Sequence, residues 1–368
     1  LILGIVLFIG LVVVHEWGHF IAARRGGVEV EEFGIGFPPK VWGKKVKTAN
    51  SKFEFTINAL PLGGFVRLKG ENDADKRPGS FGAAPLGTKV KIMVAGVLMN
   101  LVVALGLFTV LAWVGMPQLV DNQYNVASDS RIIEEVQNKG SVYIDSVSDG
   151  TPAAAVGIQS GDRVVSVASQ TITQTDQIGV LTKQNAGKEV EIVLERNGQQ
   201  VVLAPTINAE NSGKGYLGVT SRSGESGREV RRATWSAPIV AAGTTIQFTD
   251  LTLKGLGTAL SSLFKGDTQK ASEQVAGPVG IAVILNEVSK LGFIFVLMII
   301  AIISLTLAIM NILPIPALDG GRLFVTLLFH TIKKPLTKER EEIIHGTGMI
   351  ALLGLFVLIT IVDIKRFF

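Results

Sequence analysis

Four long apolar segments constrain this chain more than any other feature of its sequence. They run from Leu1 to about Ala23, from about Lys91 to Met116, from Leu291 to Leu313 and from Ile344 to Val362. A helix needs roughly 20 mostly apolar residues to cross a hydrocarbon core about 30 Å thick. The hydrophobic fraction of 47% is also high for a soluble protein. We therefore predict an α-helical membrane protein with four transmembrane helices.

The basic residues predict how these helices are oriented. Lys and Arg cluster after the first and the third apolar segments. The clusters are Lys40, Lys44, Lys45, Lys47, Lys52, Lys76 and Arg77, and Lys333, Lys334, Lys338 and Arg340. Short loops rich in Lys and Arg face the cytoplasm. We therefore place both loops inside and the segment from about Pro117 to Lys290 outside, so that spans one and three are parallel; Lys365 and Arg366 do not follow this rule.

The outer segment has the pattern of a small inserted α+β domain. Short β-rich runs alternate with turn residues. The runs are Val142–Val147, Arg163–Val167, Glu189–Leu194 and Gln200–Leu203, and Thr175–Gln184 has the apolar period of a helix. We divide the chain into residues 1–116 with the first two spans, 117–222 with the inserted domain (core 141–222), 223–290, and 291–368 with the last two spans.

The segment that follows the inserted domain is less regular. Ser221–Gly227 is a Gly/Ser-rich linker. Trp235–Phe264 is apolar but interrupted by Asp250 and Lys254. This pattern favours helices that lie on the membrane surface. A fifth span is the alternative.

A short polar motif lies within the first apolar segment. His15-Glu16-Trp17-Gly18-His19 is an H-E-x-x-H motif, in which the helical spacing puts both imidazoles on one face, where they can bind one metal ion. Burying such groups in an apolar helix costs several kcal/mol unless they are paired or bound to metal. The chain has no Cys, so any metal must be bound by His and carboxylate. The alternative is a chance pentapeptide on a surface helix.

A catalytic zinc needs a third protein ligand besides the two His. Glu29 and the acidic residues after it lie beyond a Gly-Gly break in a charged loop. Asp319 follows the third apolar segment in Asn311-Ile-Leu-Pro-Ile-Pro-Ala-Leu-Asp319-Gly320-Gly321. If spans one and three are parallel, Asp319 and His19 lie at the same depth and can meet. The alternative is a simple turn, because Asp-Gly-Gly after two prolines is typical of turns.

Together the two motifs resemble the site-2 protease family of intramembrane zinc metalloproteases, above all the bacterial branch typified by the regulator-of-sigma-E protease. Four further stretches are similar to that branch: Phe33–Phe37, Leu60–Leu68, Gly96–Asn100 and Gly277–Ile281. The family commonly has Pro where this chain has Val97. The resemblance implies a multi-pass protein of the bacterial inner or cell membrane, whose partners are the lipid bilayer and a single-span substrate such as an anti-sigma factor, first cut by another protease.

The resemblance also implies roles for individual residues. His15, His19 and Asp319 would bind Zn²⁺ near the cytoplasmic side, and Glu16 would take a proton from water and pass it to the leaving amine. Substrate-positioning residues would be Asn311, Asn100, Gly63, Gly64, Phe65 and Val66, the last four in a membrane-dipping β element at Leu60–Lys69. Asn311 could instead bond between helices, and the β element could be an ordinary cytoplasmic hairpin.

Residues 141 to about 222 resemble a PDZ domain, with Gly150–Ile158 and Gly161–Val164 matching its middle. The strand beside its peptide groove would be Gly215–Val219, with Tyr216, Leu217, Gly218 and Val219 in the groove. One such domain is present, where the sigma-E branch often has two. We expect it to act outside as a size filter; a purely structural β module is the alternative.

Two other classes of function remain open from the sequence. A membrane scaffold with a PDZ-like domain and a structural metal site would not need Glu16 beside its ligands. A transporter predicts inverted repeats, and the sequence shows none. Nucleic acid is not an expected partner, because the net charge is only +4 and the basic residues lie in loops rather than on an aromatic-studded face.

Overall fold

The computed structural model describes residues 2–48, 51–120, 122–136, 141–196, 199–211, 213, 215–223, 228–265 and 276–367. The chain forms two compact units. Unit one consists of Leu1–Arg131 and Arg231–Phe368, and unit two is Ile132–Val230. Residues 224–227 of the expected linker lie outside the described residues.

The helices are α1 (Ile2–Arg25), α2 (Leu86–Val114), α3 (Pro152–Ala155), α4 (Thr175–Gln184), α5 (Ala237–Phe264), α6 (Pro278–Leu291), α7 (Phe293–Ile312), α8 (Asp319–Thr331) and α9 (Lys338–Phe367). The strands are β1 (Val30–Thr48), β2 (Ser51–Leu68), β3 (Met116–Pro117), β4 (Arg131–Val136), β5 (Val142–Val147), β6 (Arg163–Val167), β7 (Gln170–Thr171), β8 (Ile192–Arg196), β9 (Gln199–Leu203), β10 (Val219–Ser223) and β11 (Arg228–Arg232).

Among the described residues, four helices are long and apolar enough to cross a membrane. They contain the segments Leu3–Arg25, Leu86–Val114, Phe293–Ile312 and Lys338–Lys365. The prediction of four spans is confirmed.

The helix that contains the fourth span, α9, starts earlier than the expected Ile344. The hydroxyl of Thr337 accepts the backbone N–H of Arg340 at 3.4 Å, and the helix begins there. Lys338 and Arg340, which we assigned to a loop, therefore lie in the first turn of α9, and α8 also lies within that expected loop.

Membrane-surface helices were predicted at residues 235–264, and their position relative to the membrane stays a prediction. This segment forms one continuous helix, α5, which is not among the four candidate spans. The ring of Phe248 stacks on that of Phe108 in α2, with centroids 6.1 Å apart. Phe108 lies six residues before the end of α2, about 9 Å inside that span. The first half of α5 thus packs alongside a span, and Asp250 and Lys254, one turn apart, pair at 2.6 Å without breaking the helix.

A single carboxylate fixes the start of α5. Asp129 accepts the backbone N–H groups of Thr234 and Ser236 at 2.8 and 3.0 Å. It also accepts their hydroxyls at 2.5 and 2.6 Å. These hydroxyl and amide donors hold the pKa of Asp129 well below its usual range. The loop after α2 is thereby tied to the residues that lead into α5.

The long strands β1 and β2 form an antiparallel sheet that folds back on itself. Gly34 pairs with both Phe65 and Thr56, because β2 passes it twice. In the pairing of the described residues, segment 64–68 has β1 on one side and no strand on the other. We call this segment the edge strand. At one end of the sheet Phe37, Trp42 and Leu60 are exposed.

Unit two is built around an antiparallel sheet with strand order β10-β5-β6-β8-β9, to which β7 adds by pairing with β6. The predicted runs Val142–Val147 and Arg163–Val167 and the predicted helix Thr175–Gln184 are confirmed to the residue. The alternating apolar side chains of these strands point into one core with Leu217. At the β10 edge of the sheet Val142 pairs with Ser223, so the two ends of this module are neighbours.

Candidate metal centre

The site begins on α1. His15 and His19 are one helical turn apart and therefore share a face. Both are buried, and their Nε2 atoms lie 3.2 Å apart. Two imidazole nitrogens this close inside an apolar helix can provide two of the ligands of a metal ion.

Two glycines let α2 approach that face. A Cβ at Gly96 would lie 2.7 Å from His15 Nε2 and would also collide with His19. A Cβ at Gly18 would lie 2.5 Å from the Ala95 carbonyl oxygen. Small residues at such positions allow close packing of membrane helices. Sequence reasoning noted Gly96 only as part of a family-like stretch; a glycine in an apolar span was the signal that two helices meet there.

The third side chain comes from the other end of the chain. Between α7 and α8 the backbone turns sharply, and Asp319 is the first residue of α8. Its Oδ2 lies 3.0 Å from His15 Nε2 and 3.2 Å from His19 Nε2. The turn requires the next two residues to be glycine, because a Cβ at Gly320 or Gly321 would collide with the carbonyl groups of Ile312 or Ile315.

The geometry of these three groups fits zinc. His15, His19 and Asp319 each offer one ligand atom, and these atoms all lie within 4.8 Å of one another. Zinc bonds of about 2.0–2.1 Å in a tetrahedron separate neighbouring ligand atoms by about 3.3 Å. The observed separations of 3.0 to 3.2 Å are close to that value.

The second nitrogen of each imidazole supports the same conclusion. His19 Nδ1 donates to the Ile92 carbonyl oxygen at 2.7 Å, which leaves Nε2 free to bind a metal. His15 Nδ1 lies 3.2 Å from the Asn100 amide nitrogen, while Asn100 Oδ1 is buried without a hydrogen-bond partner among the described residues. A half-turn of that amide lets Oδ1 accept from His15 Nδ1–H. Both rings then present Nε2 to one metal ion.

Glu16 is adjacent to the cluster but is not one of its three ligands. Its carboxylate interacts with the backbone amide of Val66 in the edge strand. A Cβ on Gly64 would lie 3.5 Å from Glu16 Cγ. The carboxylate of Glu16 thus lies between the three ligands and the side of the edge strand on which, among the described residues, no further strand pairs.

The remaining predicted residues are placed as follows. Asn100 contacts His15, and its backbone oxygen accepts the hydroxyl of Ser304 at 2.8 Å; a role for Asn100 in positioning substrate stays a prediction. Asn311 is half-buried in the last turn of α7, and its side chain makes no hydrogen bond to the residues that the structure describes. Gly63, with φ of +96°, packs beside Phe37, and the ring of Phe65 covers Gly34.

The predicted groove residues lie in unit two. Leu217 is buried, and its carbonyl oxygen accepts the Ala153 N–H at 3.0 Å. Gly218 has φ of +87°, and any Cβ there would collide with Thr151. Val219 is the first residue of β10, the outermost strand of the unit-two sheet, and Tyr216 packs on the core of unit two. These four residues are therefore gathered at one edge of the module.

Comparison with known proteins identifies the family of this chain. The model of peptidase family M50 matches residues 3–355. A Clostridium perfringens protein described as a candidate zinc metalloprotease is 31% identical over 366 residues, covering 99% of this chain and 98% of the relative. The regulator of sigma-W protease RasP of Bacillus subtilis is 26% identical over 447 aligned positions, covering 99% and 98%. The PDZ domain of an SdrC-like protein from Listeria monocytogenes is 22% identical, covers 24% of this chain and 93% of its own, and has a TM-score of 0.21.

The apolar helices and the His-His-Asp cluster define a multi-pass membrane metallopeptidase. The chain belongs to peptidase family M50, the site-2 protease family. It is a metalloendopeptidase of the site-2 type, and Zn²⁺ is its expected cofactor. The resemblance stated from the sequence is confirmed.

Proposed function

We propose that this protein hydrolyses a peptide bond within or near the transmembrane segment of a single-span membrane protein. His15, His19 and Asp319 bind the zinc, and Glu16 is the general base. The observation that carries this proposal is the placement of an unligated carboxylate between three convergent ligand atoms and a free strand edge.

The chain's own residues do the following in that reaction. A bound zinc supplies the Lewis acidity that polarises a carbonyl and acidifies water. Glu16 takes a proton from the attacking water while the water oxygen bonds to the carbonyl carbon. Glu16 then gives this proton to the amide nitrogen as the C–N bond breaks. The Ile92 carbonyl and the Asn100 amide hold the two imidazoles in the ligating orientation.

The edge strand solves a problem specific to membranes. A substrate helix hides its carbonyls in its own hydrogen bonds and must unwind before one can be attacked. In lipid, the freed backbone groups need new partners. Segment 64–68 offers such partners beside Glu16. We propose that the unwound substrate adds to this edge as a further strand.

Replacing Val66 with Pro tests this step. Proline removes the backbone N–H on the side that faces Glu16 rather than β1, so we expect turnover to fall about 100-fold because the substrate strand and Glu16 both lose that donor. Zinc content and melting temperature should stay at wild-type values. Val66→Ala keeps the N–H and is the matched control, with activity near wild type. Full activity of Val66→Pro would rule out strand addition here.

The orientation of the protein follows from its basic loops. With the loops after spans one and three in the cytoplasm, the cluster lies near the cytoplasmic side and unit two lies outside. We propose that unit two is a PDZ-like size filter that admits substrates only after another protease has trimmed them. The name of the RasP relative, a regulator of sigma-W, supports an anti-sigma factor as the substrate class.

Deleting residues 141–222 tests the filter. Because Val142 and Ser223 are paired neighbours, a short linker can close the gap. We expect the shortened protein to cut a single-span substrate that still carries a bulky outer domain, which the full-length protein leaves intact. The pre-trimmed substrate, cut by both proteins, is the control. The filter hypothesis fails if gel analysis shows the untrimmed substrate uncut by the shortened protein.

A further inference from the structure

We propose that His345 in α9 is a positioning residue for the zinc ligand Asp319. The proposal rests on the function proposed above, in which Asp319 binds the metal. His345 is one of the two histidines outside the H-E-x-x-H motif, and neither the sequence motifs nor the mechanism uses it.

The first observation concerns the backbone just before Asp319. Ala317 has φ of +75°, in the left-handed region that residues with a Cβ rarely adopt. Such a conformation persists only where surrounding contacts hold it. Ala317 lies two residues before Asp319, so the contacts that hold Ala317 also determine where the carboxylate points.

The second observation is the contact that His345 makes. The backbone N–H of Ala317 donates to His345 Nδ1 at 3.3 Å. An imidazole nitrogen accepts only when it carries no proton, so the proton of neutral His345 is on Nε2. That Nε2 atom is buried and has no hydrogen-bond partner among the described residues. Among the described residues, the hydrogen bond of the His345 ring is therefore the one that it accepts from Ala317.

The third observation is that one face of α9 contacts residues before and after Asp319. Glu341, His345 and Gly348 are spaced by four and three residues and share that face. A Cβ on Gly348 would lie 2.8 Å from the carbonyl carbon of Pro316, so this glycine lets α9 close on the loop. Glu341 is buried and pairs with Arg322 of α8 at 3.6 Å.

These contacts hold the residues that precede and follow Asp319 along the chain. Gly348 and His345 hold Pro316 and Ala317 before it, and Glu341 holds Arg322 after it. A metal ligand whose supporting contact is removed typically loses 10- to 100-fold in metal affinity. His345 thus acts on the metal through Ala317 without touching it.

The experiment measures zinc release from the detergent-solubilised full-length protein into an excess of chelator. We expect His345→Ala to release zinc at least about 10-fold faster than wild type, with a parallel loss of kcat on a single-span substrate. His330→Ala is the matched control. His330 is exposed in the last turn of α8, and its replacement should leave the release rate unchanged.

Two rescue variants separate positioning from simple packing. His345→Asn places Oδ1 where Nδ1 was and should restore slow release. Adding Ala317→Gly to His345→Ala should also restore it, because glycine adopts positive φ without support. Wild-type release from His345→Ala would overturn the proposal. Fast release that neither variant corrects would assign His345 to packing alone and would overturn it too.

The result also distinguishes this inference from the proposed ligand set. If Asp319→Ala loses zinc while His345→Ala keeps it, the ligand assignment stands and the role of His345 is refuted. If Asp319→Ala keeps zinc, the ligand assignment itself fails.

Discussion

Glu16→Gln will retain zinc and lose peptide hydrolysis. The amide has nearly the shape of the carboxylate but cannot take a proton from water, and general-base catalysis contributes about 10²- to 10⁴-fold. Because Glu16 is not one of the three clustered ligands, metal content should stay at wild type. The measurement is cleavage of a purified single-span substrate beside metal analysis of the same sample.

The matched control for this variant is Glu31→Gln, which changes an exposed carboxylate in β1 and should not alter the rate. Treatment of the wild type with a chelator, followed by addition of zinc, should remove and then restore activity. Cleavage by Glu16→Gln at the wild-type rate would show that another group takes the proton.

Asp319→Ala will lose zinc and, with it, activity. The carboxylate completes the trio of ligands, and two imidazoles alone leave the ion with half of a tetrahedral shell. Since removing a contact that merely supports a ligand already costs 10- to 100-fold in affinity, we expect removal of the ligand itself to cost more than about 100-fold. Competition with a chromogenic zinc chelator measures this directly.

Asp176→Ala, an exposed position in α4, is the control for the loss of one carboxylate. Asp319→Asn keeps the size of the side chain and should bind zinc weakly, because a neutral amide oxygen is a poorer ligand than a carboxylate. Stoichiometric zinc in Asp319→Ala would contradict the proposed trio.

Sequence reasoning reached those parts of the fold that local patterns determine. Helical spacing put His15 and His19 on one face, and the β-rich run Val142–Val147, set off by turn residues, predicted a strand with the observed bounds. Asp319 was harder, because its partners lie some 300 positions earlier. It was proposed because parallel spans put the two motifs at one depth and because the motif that contains it resembles the family, and the structure brings the atoms of the three side chains within hydrogen-bonding distance.

The parts that sequence reasoning missed depend on contacts between distant segments. Nothing local shows that Gly96 makes room for two imidazoles, or that Asn100 contacts His15. The ion pair within α5 looked like an interruption, because a charge in an apolar segment does not reveal whether its partner is one turn away. The support of Ala317 by His345 is visible only in backbone geometry.

The pairing of Val142 with Ser223 has a consequence for the history of this architecture. A module that enters and leaves the chain at neighbouring positions can be gained, duplicated or lost as a single insertion. The register of the spans, and with it the distance from His15 to Asp319, does not depend on the length of what is inserted. The screening function that we propose for unit two can therefore change in evolution without altering the metal-binding residues.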